Sequence, residues 1–238
     1  ESLFTALAAW SLYAVLTGRW VTAGALASLA GLTRPVGLAV TAAVWVAAIA
    51  AFGRSRSGTA ARGALSAPHA PAEGVRRLLG MLLAPLGAAG YVLWVGHRTG
   101  QGPLGYLDVQ AGWRNGFDGG VSFARFVGGK LTSFPSALAG AGLIAGVALL
   151  LWLYVVCVRQ RQPLALLVYA GIVAALALCA SSYFGSKPRL LLPAFPLLLP
   201  LALALARLRT SRSALVVAGV AVASAGYGAF WLNGSGPP

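Results

Sequence analysis

Three of the four acidic side chains, Glu1, Asp108 and Asp118, share the segments between apolar runs with Arg34, Arg114, Lys187 and Arg189. A carboxylate can take the proton of a hydroxyl, while cationic groups hold a phosphate by charge-assisted hydrogen bonds, Arg through a planar fork and Lys as a point charge. Together they suit group transfer from a phosphorylated lipid. In that chemistry Glu1 and Asp108 are candidate catalytic carboxylates, and Arg34, Lys187 and Arg189 are candidate donor-phosphate contacts. Plainer readings stand beside these. Asp108 and Asp118 also suit a solvated loop in which they balance Arg114 and Arg125, and Lys187 and Arg189 suit side chains snorkelling from a helix end towards headgroups. Arg34 is harder to dismiss. It interrupts apolar sequence between two short runs, where a charge near mid-bilayer costs about 2.5–3.5 kcal/mol and less near the interface.

Other chemistries find no support. His69 and His97 lie isolated in expected loops, without a partner at ligand spacing, so a histidine metal site is disfavoured. Cys157 and Cys179 sit inside apolar runs and read as small packing residues, neither a disulfide nor a thiolate site. The sequence has no P-loop, dinucleotide fingerprint or nucleophile elbow. No cofactor and no metal is implied.

Composition sets the elements that must position these groups. The 238 residues are 58% hydrophobic and 9% charged, with mean hydropathy +0.80, whereas a soluble domain carries roughly 25% charged residues. Too little polar surface remains to coat a water-soluble globule. The net charge of +14 comes from arginines set between apolar runs, which points to membrane orientation and not to nucleic acid. A spanning helix needs about 20 residues for a hydrocarbon core of about 30 Å. Eight runs qualify, some of them short: 2–17, 20–33, 35–53, 78–96, 134–158, 164–184, 190–206 and 214–232. The expected fold is all-α, a polytopic transmembrane bundle forming one domain over 1–238.

Cytoplasmic loops carry the excess of Lys and Arg. That rule places residues 54–77, Arg159 with Arg161, and Arg207 with Arg209 and Arg212 inside. Eight crossings then put Arg19 inside as well, and leave Glu1, Arg34, 97–133, Lys187 and Arg189 outside. The 54–77 segment, rich in Gly, Ser, Ala and Pro, reads as a flexible cytoplasmic loop. The 97–133 segment interleaves Tyr106, Leu107, Trp113, Phe117, Phe123 and Phe126 with polar groups, as in a helix lying along the interface. Trp113 and Asp118 in this segment are candidate sugar or acceptor contacts.

At these same positions the sequence resembles a known family. Glu1-Ser2-Leu3-Phe4, Gly18-Arg19-Trp20, Leu32-Thr33-Arg34-Pro35 with Gly37, Gln110 with Trp113, and Lys187-Pro188-Arg189-Leu190 running into Pro193 and Pro196 are similar to the PIG-V-type mannosyltransferases. That group includes the second mannosyltransferase of GPI-anchor synthesis and its bacterial relatives. The resemblance implies a GT-C architecture in a bacterial plasma membrane, an extracytoplasmic active site, a polyprenyl-phosphate-linked sugar as donor and a lipid or glycan acceptor. It adds Gln110 and Trp113 as sugar or acceptor contacts. It also places the family's catalytic acid in an external loop before the Glu-Ser-Leu-Phe motif. The sequence starts at Glu1 without an initiator Met and is read as a fragment lacking that loop.

The leading expectation is therefore a membrane glycosyltransferase, mannosyltransferase-like. A transporter or lipid flippase is the alternative. It calls for polar groups within the spans and for paired broken helices near the midplane. The spans hold few polar residues beyond Ser and Thr, which favours the enzyme.

Overall fold

The computed structural model describes residues 1–61, 70–100, 102–103, 105–112, 116–181 and 187–233. Among them the chain is helical, apart from one isolated antiparallel bridge between Phe117 and Ala180. Helices α1 (Ser2–Leu16) and α2 (Trp20–Thr33) form a hairpin, turned at Gly18 with φ +73°. A 3₁₀ turn at Pro35–Gly37 leads into α3 (Leu38–Ala61). There follow α4 (Ala70–Leu83) and α5 (Leu86–Thr99), then the short α6 (Gly105–Gly112) and α7 (Val121–Leu131). Next come α8 (Ser136–Arg159) and α9 (Leu164–Cys179). The last stretch is α10 (Lys187–Leu191), a 3₁₀ segment Leu192–Leu198, α11 (Leu199–Ala206) and α12 (Thr210–Asn233).

Five segments are long and apolar enough to cross a membrane: Pro35–Ser55, Ala72–Thr99, Ser136–Arg159, Arg189–Ala206 and Thr210–Ala229. Three shorter apolar helices, α1, α2 and α9, make up the rest of the apolar sequence. This is the helical make-up an integral membrane protein requires. The core lies where α1, α2, α3 and α9 meet, around Phe4, Leu12, Val40, Val44, Tyr169 and Val173.

Small residues set the closest approaches. An added Cβ at Gly24 would stand 2.3 Å from the Gly80 carbonyl oxygen, and one at Gly87 would stand 1.7 Å from that of Ser28. Helix α2 thus lies backbone to backbone on α4 and α5. In lipid, where apolar surface gains nothing by leaving solvent, such contact lets dispersion and polar bonds hold helices together. Buried Ser11 supplies one such bond, donating from Oγ to the Ala23 carbonyl at 2.8 Å.

The structure corrects four sequence expectations. The 54–77 segment is helical at both ends, since α3 runs on to Ala61 and α4 starts at Ala70, leaving 62–69 outside the described residues. Arg77 accounts for much of this order. It pairs with Glu73 one turn back, donates to Ser55 Oγ at 3.0 Å and stacks over the Trp20 and Phe52 rings. His97 lies in the last turn of α5 and not in a loop, because α5 continues to Thr99; His69 is outside the described residues. The single interfacial helix expected in 97–133 is two short helices, α6 and α7.

The fourth correction concerns continuity, because two expected spans are broken. Pro85 lacks the N–H that would bond the Met81 carbonyl, and Trp45 Nε1 donates to that oxygen instead, at 2.8 Å. Thr41 Oγ1 donates to the neighbouring Ala84 carbonyl at 3.1 Å. Likewise Pro196 orphans the Pro193 carbonyl, which accepts from the Tyr169 hydroxyl at 2.9 Å. Side chains of α3 and α9 therefore make both breaks tolerable in an apolar setting.

Successive apolar helices alternate in direction, so the bundle has two ends. Gly18, Arg54, Arg77 and Pro163 meet at one, and Arg34, Gln110, Ala180 and Leu190 at the other.

Candidate functional site

The start of α1, the end of α2 and the start of α10 converge at the second end. There the Glu1 carboxylate lies between two guanidiniums: Arg34 Nη1 donates to Glu1 Oε2, and Arg189 Nε lies 3.3 Å from Glu1 Oε1. Arg34 is positioned because α2 ends there, its backbone extended ahead of the Pro35 turn. The Glu1 and Arg34 side chains are 19% and 26% exposed, against 64% for Arg189, so the inner pair is the less hydrated one. Two cations on one carboxylate leave a net charge of +1 beside apolar walls. The lone pairs of Glu1 are engaged, which suits it to orienting the arginines better than to removing a proton.

Arg34 also lines a cavity of about 410 Å³, bounded by Phe4 and Val36 on one side and by Val173, Leu176 and Pro193 on the other. Tyr106 and Gln110 of α6 face the same space. Burial, and then the neighbouring Tyr91, push the Tyr106 phenol above its usual value, so it enters as a hydrogen-bond donor. Phe117 and Gly116 close the wall because the 116–118 segment is tied to the end of α9. Ser181 N donates to the Gly116 carbonyl at 2.8 Å, and Asp118 N donates to that of Cys179 at 3.1 Å.

The expected site residues therefore separate. Glu1, Arg34 and Arg189 come together, and Gln110 joins them through the cavity. Asp108 is exposed on α6, outside the cavity lining, so a catalytic role there is not supported. Trp113 and Arg114 lie outside the described residues.

Lys187 and Asp118 serve helix ends. The Lys187 ammonium is buried and donates to the Ala177 and Ala180 carbonyls, both at 2.8 Å, with Leu178 at 3.5 Å and the Phe123 ring beneath it at 5.1 Å. These are carbonyls that α9 leaves without intrahelical partners, at the negative end of its dipole. Lys187 thus caps α9, which corrects its reading as a phosphate contact. Desolvation pushes its pKa down, opposed by the Asp118 carboxylate. The Asp118 carboxylate accepts from the N–H groups of Ser122 and Gly120, each at 2.9 Å, and so caps α7; the Ser122 hydroxyl first, and then these N–H bonds, hold its pKa low. Asp118 is not among the residues lining the cavity.

Sequence reasoning missed Tyr106 and Phe117 as site residues. Their aromatic character was visible, but it pointed to the membrane interface. Among the described residues, no three His, Cys, Asp or Glu side chains group as metal ligands would. Comparison with protein-family models, with curated proteins and with solved structures finds no match for this chain.

Proposed function

We propose that the protein is a membrane glycosyltransferase of GT-C type, moving a sugar, mannose on the family resemblance, from a polyprenyl-phosphate donor to a lipid or glycan hydroxyl. The carrying observation is the Arg34–Glu1–Arg189 cluster at the edge of a largely apolar cavity. In this reading Arg34 and Arg189 hold the donor phosphate, Glu1 orients them, and Gln110 and Tyr106 contact the sugar or acceptor. The acceptor oxygen attacks the anomeric carbon, the bond from that carbon to the phosphate oxygen breaks, and polyprenyl phosphate leaves on the two arginines. The acceptor's proton passes to a base that, by resemblance, belongs to the loop preceding the Glu-Ser-Leu-Phe motif. All eight apolar helices cross a bacterial plasma membrane in this reading, with the cavity end extracytoplasmic.

A transporter is favoured by one observation, the two broken apolar helices at Pro85 and Pro193–Pro196. Their freed carbonyls, however, are taken by Trp45, Thr41 and Tyr169 inside the protein. That gives three of the carbonyls at the breaks a packing partner within the protein.

The test is transfer of labelled mannose from polyprenyl-phosphate mannose by the full-length protein in membranes. Arg34→Ala should lower kcat/KM by about 100-fold, the scale of losing two charge-assisted contacts, and Arg34→Lys should recover part of it. Transfer indifferent to Arg34, or none by the wild type with any polyprenyl-phosphate sugar, overturns the proposal.

A further inference from the structure

A second cavity, of about 370 Å³, lies at the opposite end of the bundle. Its polar lining is Arg54 of α3 with Arg77 and Glu73 of α4, and its walls are Val15, Leu16, Trp20 and Ala47. The first turn of α9, Pro163 to Ala165, also opens into it. That helix has no side-chain cap, so the N–H groups of Leu164 and Ala165 are among those a helix leaves without intrahelical partners, at the positive end of its dipole.

Arg77 is held rigidly and lends the cavity positive charge, its outer donors being taken within the protein. Nη1 donates to Ser55 and Nη2 to Glu73, while Nε is buried with no acceptor among the described residues. Only 11% of the side chain is exposed, against 57% for Glu73, so the cation sits deeper than its counter-ion. Arg54 adds a second positive charge, leaving +1 after Glu73 is counted. Two guanidiniums and an uncapped helix N-terminus around one cavity make a site for an oxyanion, and phosphate matches the guanidinium fork.

We propose that this cavity binds the phosphodiester of an anionic phospholipid. The commitment to a lipid rests on the walls and the place. Leu16 and Leu164, exposed at the cavity, offer apolar surface for glycerol and the first acyl carbons, and the cavity opens at the end of apolar helices, where headgroups meet a helix that crosses the bilayer. This site shares no residue with the Glu1–Arg34–Arg189 cavity and stands or falls independently of the transferase reading.

The experiment measures lipid retained by the full-length protein, using native mass spectrometry after extraction from mixed phosphatidylglycerol and phosphatidylcholine nanodiscs. The wild type should keep phosphatidylglycerol in preference, by about tenfold, the scale of one charge-assisted contact. Arg54→Gln should abolish that preference. Arg209→Gln, an exposed arginine in the turn before α12, should leave it intact. Arg54 is itself exposed and makes no ion pair among the described residues, and an unchanged circular dichroism spectrum checks that Arg54→Gln is folded. Equal loss in both variants would mean diffuse attraction to basic surface and overturns the site. Displacement of phosphatidylglycerol by millimolar inorganic phosphate would overturn the lipid commitment, whereas retention against it supports the proposal.

Discussion

A cation's role depends on what already occupies its donors. Lys187 and Arg189 stand two positions apart, yet one caps α9 from a buried position while the other reaches Glu1 from the surface. Lys187→Met should therefore destabilise the protein by about 1.5–3 kcal/mol, the usual worth of hydrogen bonds to a charged group, seen as a lower melting temperature in detergent. On the proposed transferase reading, donor KM should stay within about twofold, whereas Arg189→Ala should raise it by about tenfold at unchanged melting temperature. A Lys187→Met protein with normal stability and weakened donor binding would restore Lys187 to the proposed phosphate site. Asp118 makes a second prediction. Its folded pKa is depressed, so its stabilisation is present above the ordinary carboxylate value and is lost as pH falls through the lower folded one. Asp118→Asn should be less stable at neutral pH and show a flatter loss of stability below pH of about 4, measured by thermal unfolding across an acid series. Arg34 was legible in the sequence because an arginine between two apolar runs has few reasons to be there. The capping roles were not, since nothing in the 164–184 run tells that α9 ends at Cys179 and presents its carbonyls to Lys187.

At the scale of elements, apolar run length located the helices, and small residues determined how closely they approach. Gly87→Ala and Gly90→Ala, on the same helix, make the distinction measurable. The first puts a Cβ 1.7 Å from the Ser28 carbonyl oxygen, and the second meets nothing within 4 Å. Gly87→Ala should cost about 1–3 kcal/mol or more by forcing α2 off α5. Gly90→Ala should be neutral, or stabilising by up to about 1 kcal/mol from the better helix propensity of alanine. Thermal midpoints in detergent compare them, and equal effects would mean that the α2–α5 contact does not hold the bundle. Pro85, Pro193 and Pro196 were plain in the sequence, but a proline breaks an apolar helix only as far as neighbours can serve the carbonyl it frees. Trp45 and Tyr169, 36 and 24 residues before the carbonyls they serve, do so here, a long-range fact that run length does not carry. The extension of α3 to Ala61 was missed for a related reason: the Arg77 contacts that anchor this end come from α4.

For the whole molecule, the two ends differ in charge, and that difference predicts sidedness. Arg19, Arg54, Arg77, Arg159 and Arg161 flank the helices at one end, while Glu1, Asp108 and Asp118 all fall at the other. Short arginine-rich connections stay cytoplasmic during insertion, so the cavity holding Arg34 should face outward. The weak link is α2. At 14 residues it spans about 21 Å along its axis, short of a hydrocarbon core of about 30 Å. It can cross only if the bilayer thins or neighbouring helices shield its ends, and its glycine contacts with α4 and α5 provide such neighbours. Single cysteines decide which end of the bundle faces out. Ser57→Cys near the end of α3 and Thr132→Cys after α7 are placed at opposite ends, in a background with half-buried Cys179 replaced by Ser and buried Cys157 kept. An impermeant maleimide added to intact cells should label position 132 readily and position 57 only after permeabilisation. Labelling of both from the same side would show that Ala72–Thr99 does not carry the chain across the membrane, and the proposed site would lose its extracytoplasmic donor. Labelling of 57 alone would invert the protein, placing Glu1, Arg34 and Arg189 in the cytoplasm, where a transferase reading would need a donor presented from the inner leaflet.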